Sequence, residues 1–94
     1  MKSKNSKAIT RPQEAHILRV KELSCAVCGE GGGHSSPSEG HHIQQGLHFT
    51  MIPLCADCHR GSHNGIHGEA RIWTVMRKSE LICLDETIAR LYGR

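Results

Sequence analysis

Glu39-Gly40-His41-His42-Ile43 and, a little further on, Cys55-Ala56-Asp57-Cys58-His59-Arg60-Gly61-Ser62-His63 are the densest concentrations of ligand-type side chains in this sequence. The second stretch carries two chemistries. Cys55 and Cys58 form a CxxC knuckle whose thiolates suit a tetrahedral ion, and His59 and His63, at i and i+4, fall on one face of a helix that spans them. In the first stretch, adjacent strand residues point to opposite sides, so His41 and His42 are expected to do different jobs.

Upstream, Cys25-Ala26-Val27-Cys28-Gly29 repeats the knuckle spacing and closes it with a glycine. Two CxxC pairs, Cys25 with Cys28 and Cys55 with Cys58, predict a four-thiolate site for a structural Zn2+. A redox role needs a βαβ setting that the sequence lacks. An alternative partition, with Cys55, Cys58, His59 and His63 on one structural metal, leaves the first knuckle without a partner. Cys83, among Leu81, Ile82 and Leu84, reads as a small buried hydrophobe.

A metal is also what the size of the chain calls for. With 94 residues, a hydrophobic fraction of 37% and one each of Trp, Tyr and Phe, burial alone leaves the fold marginal. The opening Met1-Lys2-Ser3-Lys4 has no apolar run behind it, so no secretory signal is expected, and no stretch approaches membrane-spanning length. A cytoplasmic setting follows, where paired cysteines are metal ligands more often than disulfides. Net charge is +3, which is compatible with a polyanion partner. Lys2, Lys4, Lys7 and Arg11 make residues 1–11 a flexible basic arm ahead of a single domain, 12–94. Arg60, Arg71, Arg77 and Lys78 are candidate phosphate contacts.

Pro12, Gln13 and Glu14, followed by Ile17, Val20 and Leu23 at helical spacing, predict a helix over 12–23. The glycines, serines and proline of 30–38 predict a mobile loop that carries His34. Residues 39–43 and 49–54 read as strands joined by a turn at 44–48. A helix capped by Asp57, with Gly61 inside it, then runs about two turns to the Asn64-Gly65 stop. Ile72, Trp73, Val75 and Met76, then Leu81, Leu84, Ile88 and Leu91, predict helices over 69–77 and 80–92 that supply most of the core. The expected fold is α+β: a small ββα unit closed by the four-cysteine knuckle and supported by an N-terminal helix and one or two C-terminal helices.

Packed together, such strands and helix bring one histidine of the doublet to His59 and His63 on a metal and leave the other free as a general base. That is a workable site for phosphodiester hydrolysis.

Glu39-Gly40-His41-His42-Ile43 with Thr50-Met51-Ile52-Pro53-Leu54-Cys55-Ala56-Asp57-Cys58-His59 resembles the HNH, or ββα-metal, endonuclease signature in its zinc-knuckle form. With Val20, Leu23, Cys25 and Cys28 upstream and Gly65-Ile66-His67-Gly68 downstream, residues 12–92 are similar to the phage and prophage family of recombination-enhancement, RecA-dependent nucleases. The resemblance implies that His41 is a catalytic-metal ligand, His42 the general base, and His59 the helix ligand, with His63 or, alternatively, His67 completing the set. It implies a divalent Mg2+, Mn2+ or Zn2+ beside the structural Zn2+, DNA as substrate, and a bacterial or phage-infected cell. It also implies that activity depends on a recombinase filament on the DNA. The departure is Thr50, where the family has the Asn that orients the base; a hydroxyl or a backbone carbonyl is the available substitute. No recognition helix remains once the ββα unit is counted, so low sequence specificity is expected. The competing reading is a non-catalytic zinc module that binds nucleic acid or a recombination protein.

Overall fold

Thr10 caps the first helix through a reciprocal pair: its hydroxyl accepts from the Gln13 amide at 3.3 Å and the Gln13 side chain accepts from the Thr10 amide at 2.9 Å. The cap sets the helix start at Arg11, so α1 spans Arg11–Lys21 and takes in a residue assigned to the arm on sequence grounds. The computed structural model describes residues 8–93; Lys2, Lys4 and Lys7 of the expected arm lie outside them. After α1 come β1 (Glu39–His42), a 3-10 turn at His48–Thr50, β2 (Met51–Leu54), α2 (Ala56–Arg60), α3 (Arg71–Val75) and α4 (Glu80–Tyr92).

The two strands pair antiparallel, with Glu39 opposite Leu54 and His41 opposite Ile52. All four residues of β2 are buried. α1 and α4 both pack against it, which is why an apolar Met-Ile-Pro-Leu run is tolerated where one-sided burial would alternate. Ile52 and Leu54, fully buried, join Val27, Trp73 and Cys83 in the core, each aliphatic side chain contributing about 2 kcal/mol.

The knuckle is fastened to this strand: the Ala26 amide donates to the Pro53 carbonyl at 2.9 Å, and within the turn the Gly29 amide donates to the Cys25 carbonyl at 2.9 Å. The glycine-rich stretch after it is held more firmly than its composition suggests. Gly33 and Ser38 donate their amides to the Glu22 and Lys21 carbonyls, each at 2.8 Å, and the Ser38 hydroxyl donates to the Leu23 carbonyl at 2.5 Å. Among the described residues, no helix is long and apolar enough to cross a membrane.

Candidate metal centres

The sulfurs of Cys25, Cys28, Cys55 and Cys58 all lie within 4.8 Å of one another. Cys28 and Cys55 are 3.6 Å apart at sulfur, close to the roughly 3.8 Å edge of a tetrahedron with Zn–S bonds of about 2.3 Å. A turn and the start of α2, far apart in sequence, supply the pairs, and none of the cysteines is disulfide-bonded. Burial opposes ionisation of Cys25, but amides of Cys28, Cys55 and Val27 and the Cys28 side chain outweigh it and bring the thiol to about 7. Burial leads in pushing Cys28 up to about 11 and Cys58 higher still. Sulfurs this close oppose one another's ionisation, and a bound dication would offset that repulsion and draw out their protons. The donor set therefore fits zinc. Cys83 stays outside the cluster, its thiol raised to about 11 by burial.

A second cluster joins His41, His59 and His67, whose ring nitrogens also lie within 4.8 Å of one another. His41 Nδ1 and His59 Nε2 are 3.3 Å apart, which matches the roughly 3.3 Å edge expected for two imidazoles on one tetrahedral ion. Their far nitrogens meet carboxylates. His41 Nε2 is 2.6 Å from Glu80 Oε2, and His59 Nδ1 is 2.8 Å from Glu39 Oε1. Glu39 is gripped by Arg60, which donates from Nε and from one terminal nitrogen, Nη2. Those bonds, with the one from His59, hold its carboxyl down at about 2.

His63, the first choice from spacing, does not join. α2 ends at Arg60 because Gly61 turns extended, with φ −65° and ψ 143°. The i,i+4 argument fails for want of a helix to carry it. His63 is largely exposed and 3.4 Å from Glu69. The chain instead doubles back on α2: the Ile66 amide donates to the Cys58 carbonyl at 2.9 Å and the His67 amide to the His59 carbonyl at 3.2 Å. Such closeness demands glycine. A Cβ at Gly65 would stand 2.5 Å from the Gly61 nitrogen, and one at Gly68 would stand 2.5 Å from the Ser62 carbonyl oxygen. The helix start also differs from expectation. The Cys55 sulfur accepts from the Cys58 amide at 3.4 Å, while Asp57, the expected cap, accepts from the Asn64 side chain at 2.9 Å.

His42 is not part of the cluster; its Nε2 is 3.0 Å from His48 Nδ1. Burial, then the charges of His48 and His41, lower its pKa below the ordinary histidine value. Thr50 is not its partner: the hydroxyl donates to the Leu47 carbonyl at 2.7 Å and the carbonyl accepts from the Ile43 amide at 3.2 Å. His41, His42, His59, His67 and Glu80 line one open cavity of about 420 Å³. Of the proposed phosphate contacts, Arg60, Arg71 and Lys78 are paired with Glu39, Glu69 and Glu86; Arg77 has no carboxylate partner among the described residues.

Sequence reasoning missed Glu80 and His48. Glu80 offered only a helix-start signal after Ser79, with nothing to tie it to a histidine far upstream. His48 lay in a stretch read as a turn. No family model, curated protein or solved structure matches the chain. What stands is a small α+β unit with a four-thiol cluster and a three-imidazole cluster, each able to hold a metal such as zinc.

Proposed function

We propose that this protein is a metal-dependent DNA endonuclease of the ββα-metal type, hydrolysing phosphodiester bonds with low sequence specificity. One observation carries the reading: His41, His59 and His67 converge within 4.8 Å on a cavity that His42, the next residue of the same strand, also lines. A divalent ion held there supplies charge neutralisation at the phosphate and the leaving oxygen. His42 takes the proton of the attacking water. Burial and the neighbouring His48 and His41 charges lower its pKa, which favours the neutral, proton-accepting ring. With His48 Nδ1 accepting, His42 carries its proton on Nε2 and its basic lone pair on Nδ1. The four-cysteine zinc is structural in this reading, and basic side chains add non-specific affinity for DNA.

The resemblance to the recombination-enhancement nucleases supports a further element, stimulation by a recombinase filament. The test is conversion of supercoiled plasmid to open circles by zinc-loaded protein with added Mg2+, Mn2+ or Zn2+, with and without such a filament. Metal-dependent nicking supports the endonuclease.

A second reading, a non-catalytic zinc module, is favoured by the Thr50 hydroxyl bonding to Leu47 instead of His42. DNA retained in a mobility shift, with no nicking under any of these conditions, would support it.

A further inference from the structure

Two of the three clustered histidines approach each other through opposite ring nitrogens: Nδ1 from His41 and Nε2 from His59. An imidazole can offer a lone pair on one nitrogen only if its proton sits on the other. On each ring that other nitrogen lies within hydrogen-bond distance of a carboxylate, Glu80 for His41 and Glu39 for His59. The two carboxylates come from unrelated elements, the first turn of α4 and the first residue of β1. Convergence from two directions on the same chemical arrangement is what a built ligand shell requires.

The two are not equivalent. Glu39 shares its charge with Arg60, whereas Glu80 has no cationic partner among the described residues other than His41. Among the described residues lining the cavity, Glu80 is the acidic one. An acidic side chain in the first turn of a helix has an ordinary use, favourable interaction with the helix dipole, but that effect is weak and needs no histidine.

We propose that Glu80 is a positioning residue for the histidine metal site: it fixes His41 in the Nε2–H tautomer, raises the donor strength of Nδ1, and makes the seating of α4 part of the metal centre. The proposal rests on the reading of His41, His59 and His67 as a metal site. Glu80 accepts the hydrogen bond from His41 Nε2–H and is not itself a ligand.

The test measures binding of a second equivalent of Zn2+ or Co2+ to zinc-loaded protein by chelator competition. It compares wild type, Glu80→Gln and Glu80→Ala, with the four-cysteine site monitored separately through its thiolate-to-Co2+ charge-transfer bands. Gln keeps an acceptor without the charge and Ala keeps neither, so affinity is expected to fall about tenfold in Glu80→Gln and towards about a hundredfold in Glu80→Ala. Loss of a helix-dipole interaction alone would affect the two alike. The nitrogen spectrum of His41, recorded without the second metal, is expected to show the Nε2–H tautomer in wild type and a mixture in Glu80→Ala. Equal affinity in all three proteins, with an unchanged tautomer, overturns the role of Glu80 and leaves the metal site standing. No second equivalent bound by wild type overturns the metal site and this proposal together.

Discussion

The His67 amide donates to the His59 carbonyl at 3.2 Å, so the third imidazole of the cluster arrives by a return of the chain over α2. The exposed His63 lies on the outside of that return. Two histidines that look interchangeable in sequence are thereby separated by backbone hydrogen bonding.

Replacing them should have unlike effects. His67→Ala is expected to abolish binding of the second metal equivalent, since two imidazoles make a weak site, while His63→Ala leaves it within about twofold. Chelator competition on both variants decides this; equal loss in the two would return His63 to the ligand set.

Gly65→Ala should act on the same site from the backbone. Its Cβ would meet the Gly61 nitrogen at 2.5 Å and the Gly61 oxygen at 2.6 Å, and neither can swing aside as a side-chain tip would. A loss of about 1–3 kcal/mol in urea unfolding is expected, together with weakened second-metal binding as His67 is displaced. A variant of unchanged stability would mean that the return segment is looser than its hydrogen bonds suggest.

The four-cysteine site should be inseparable from folding. Structural zinc binding is worth on the order of 10 kcal/mol, comparable to the whole stability of a small domain. Chelation, or Cys58→Ser, is therefore expected to remove the cooperative unfolding transition followed by circular dichroism. Cys83→Ala, outside the cluster though fully buried, should cost only about 1 kcal/mol and keep its zinc.

His16 on α1 predicts a pH dependence of stability. Its Nε2 is buried with no hydrogen-bond partner, and burial, then the charge of Arg19, lower its pKa from 6.5. A depressed folded value means that the unfolded chain takes the proton first. The contribution of His16 is therefore complete above the unfolded pKa and is lost as pH falls through the folded one. The stability difference between wild type and His16→Gln should shift against wild type as pH falls through and below the unfolded value of about 6.5; no shift would place the ring in water.

The legible parts of this fold were those written in local spacing. The CxxC pairs announce the sulfur cluster because a knuckle fixes its ligands within one turn. Pro12, Gln13 and Glu14 likewise mark a helix start to within a residue. The illegible parts depend on what the backbone does next. Gly61 reads as a weak helix residue, and only its extended conformation reveals that α2 has already ended. The glycines of 30–38 read as a mobile loop, yet Gly33 and Ser38 are tied by their amides to the end of α1. Glu80 could not be found by any periodicity, because its partner His41 is brought to it by the packing of α4 against β2. The histidine doublet pointed to the right strand, but the partners of its two members, Glu80 and His48, belong to tertiary structure.

The most direct measurement is plasmid nicking by wild type and His42→Ala, with the metal content of both determined in the same samples. Wild type is expected to nick with Mg2+ or Mn2+, with or without a recombinase filament, and His42→Ala to lose about a hundredfold or more while still holding zinc at the four cysteines and metal at His41, His59 and His67. Cleavage at the wild-type rate by His42→Ala, or no cleavage by wild type under any of these conditions, would contradict the assignment of this site as a nuclease centre with His42 as its base.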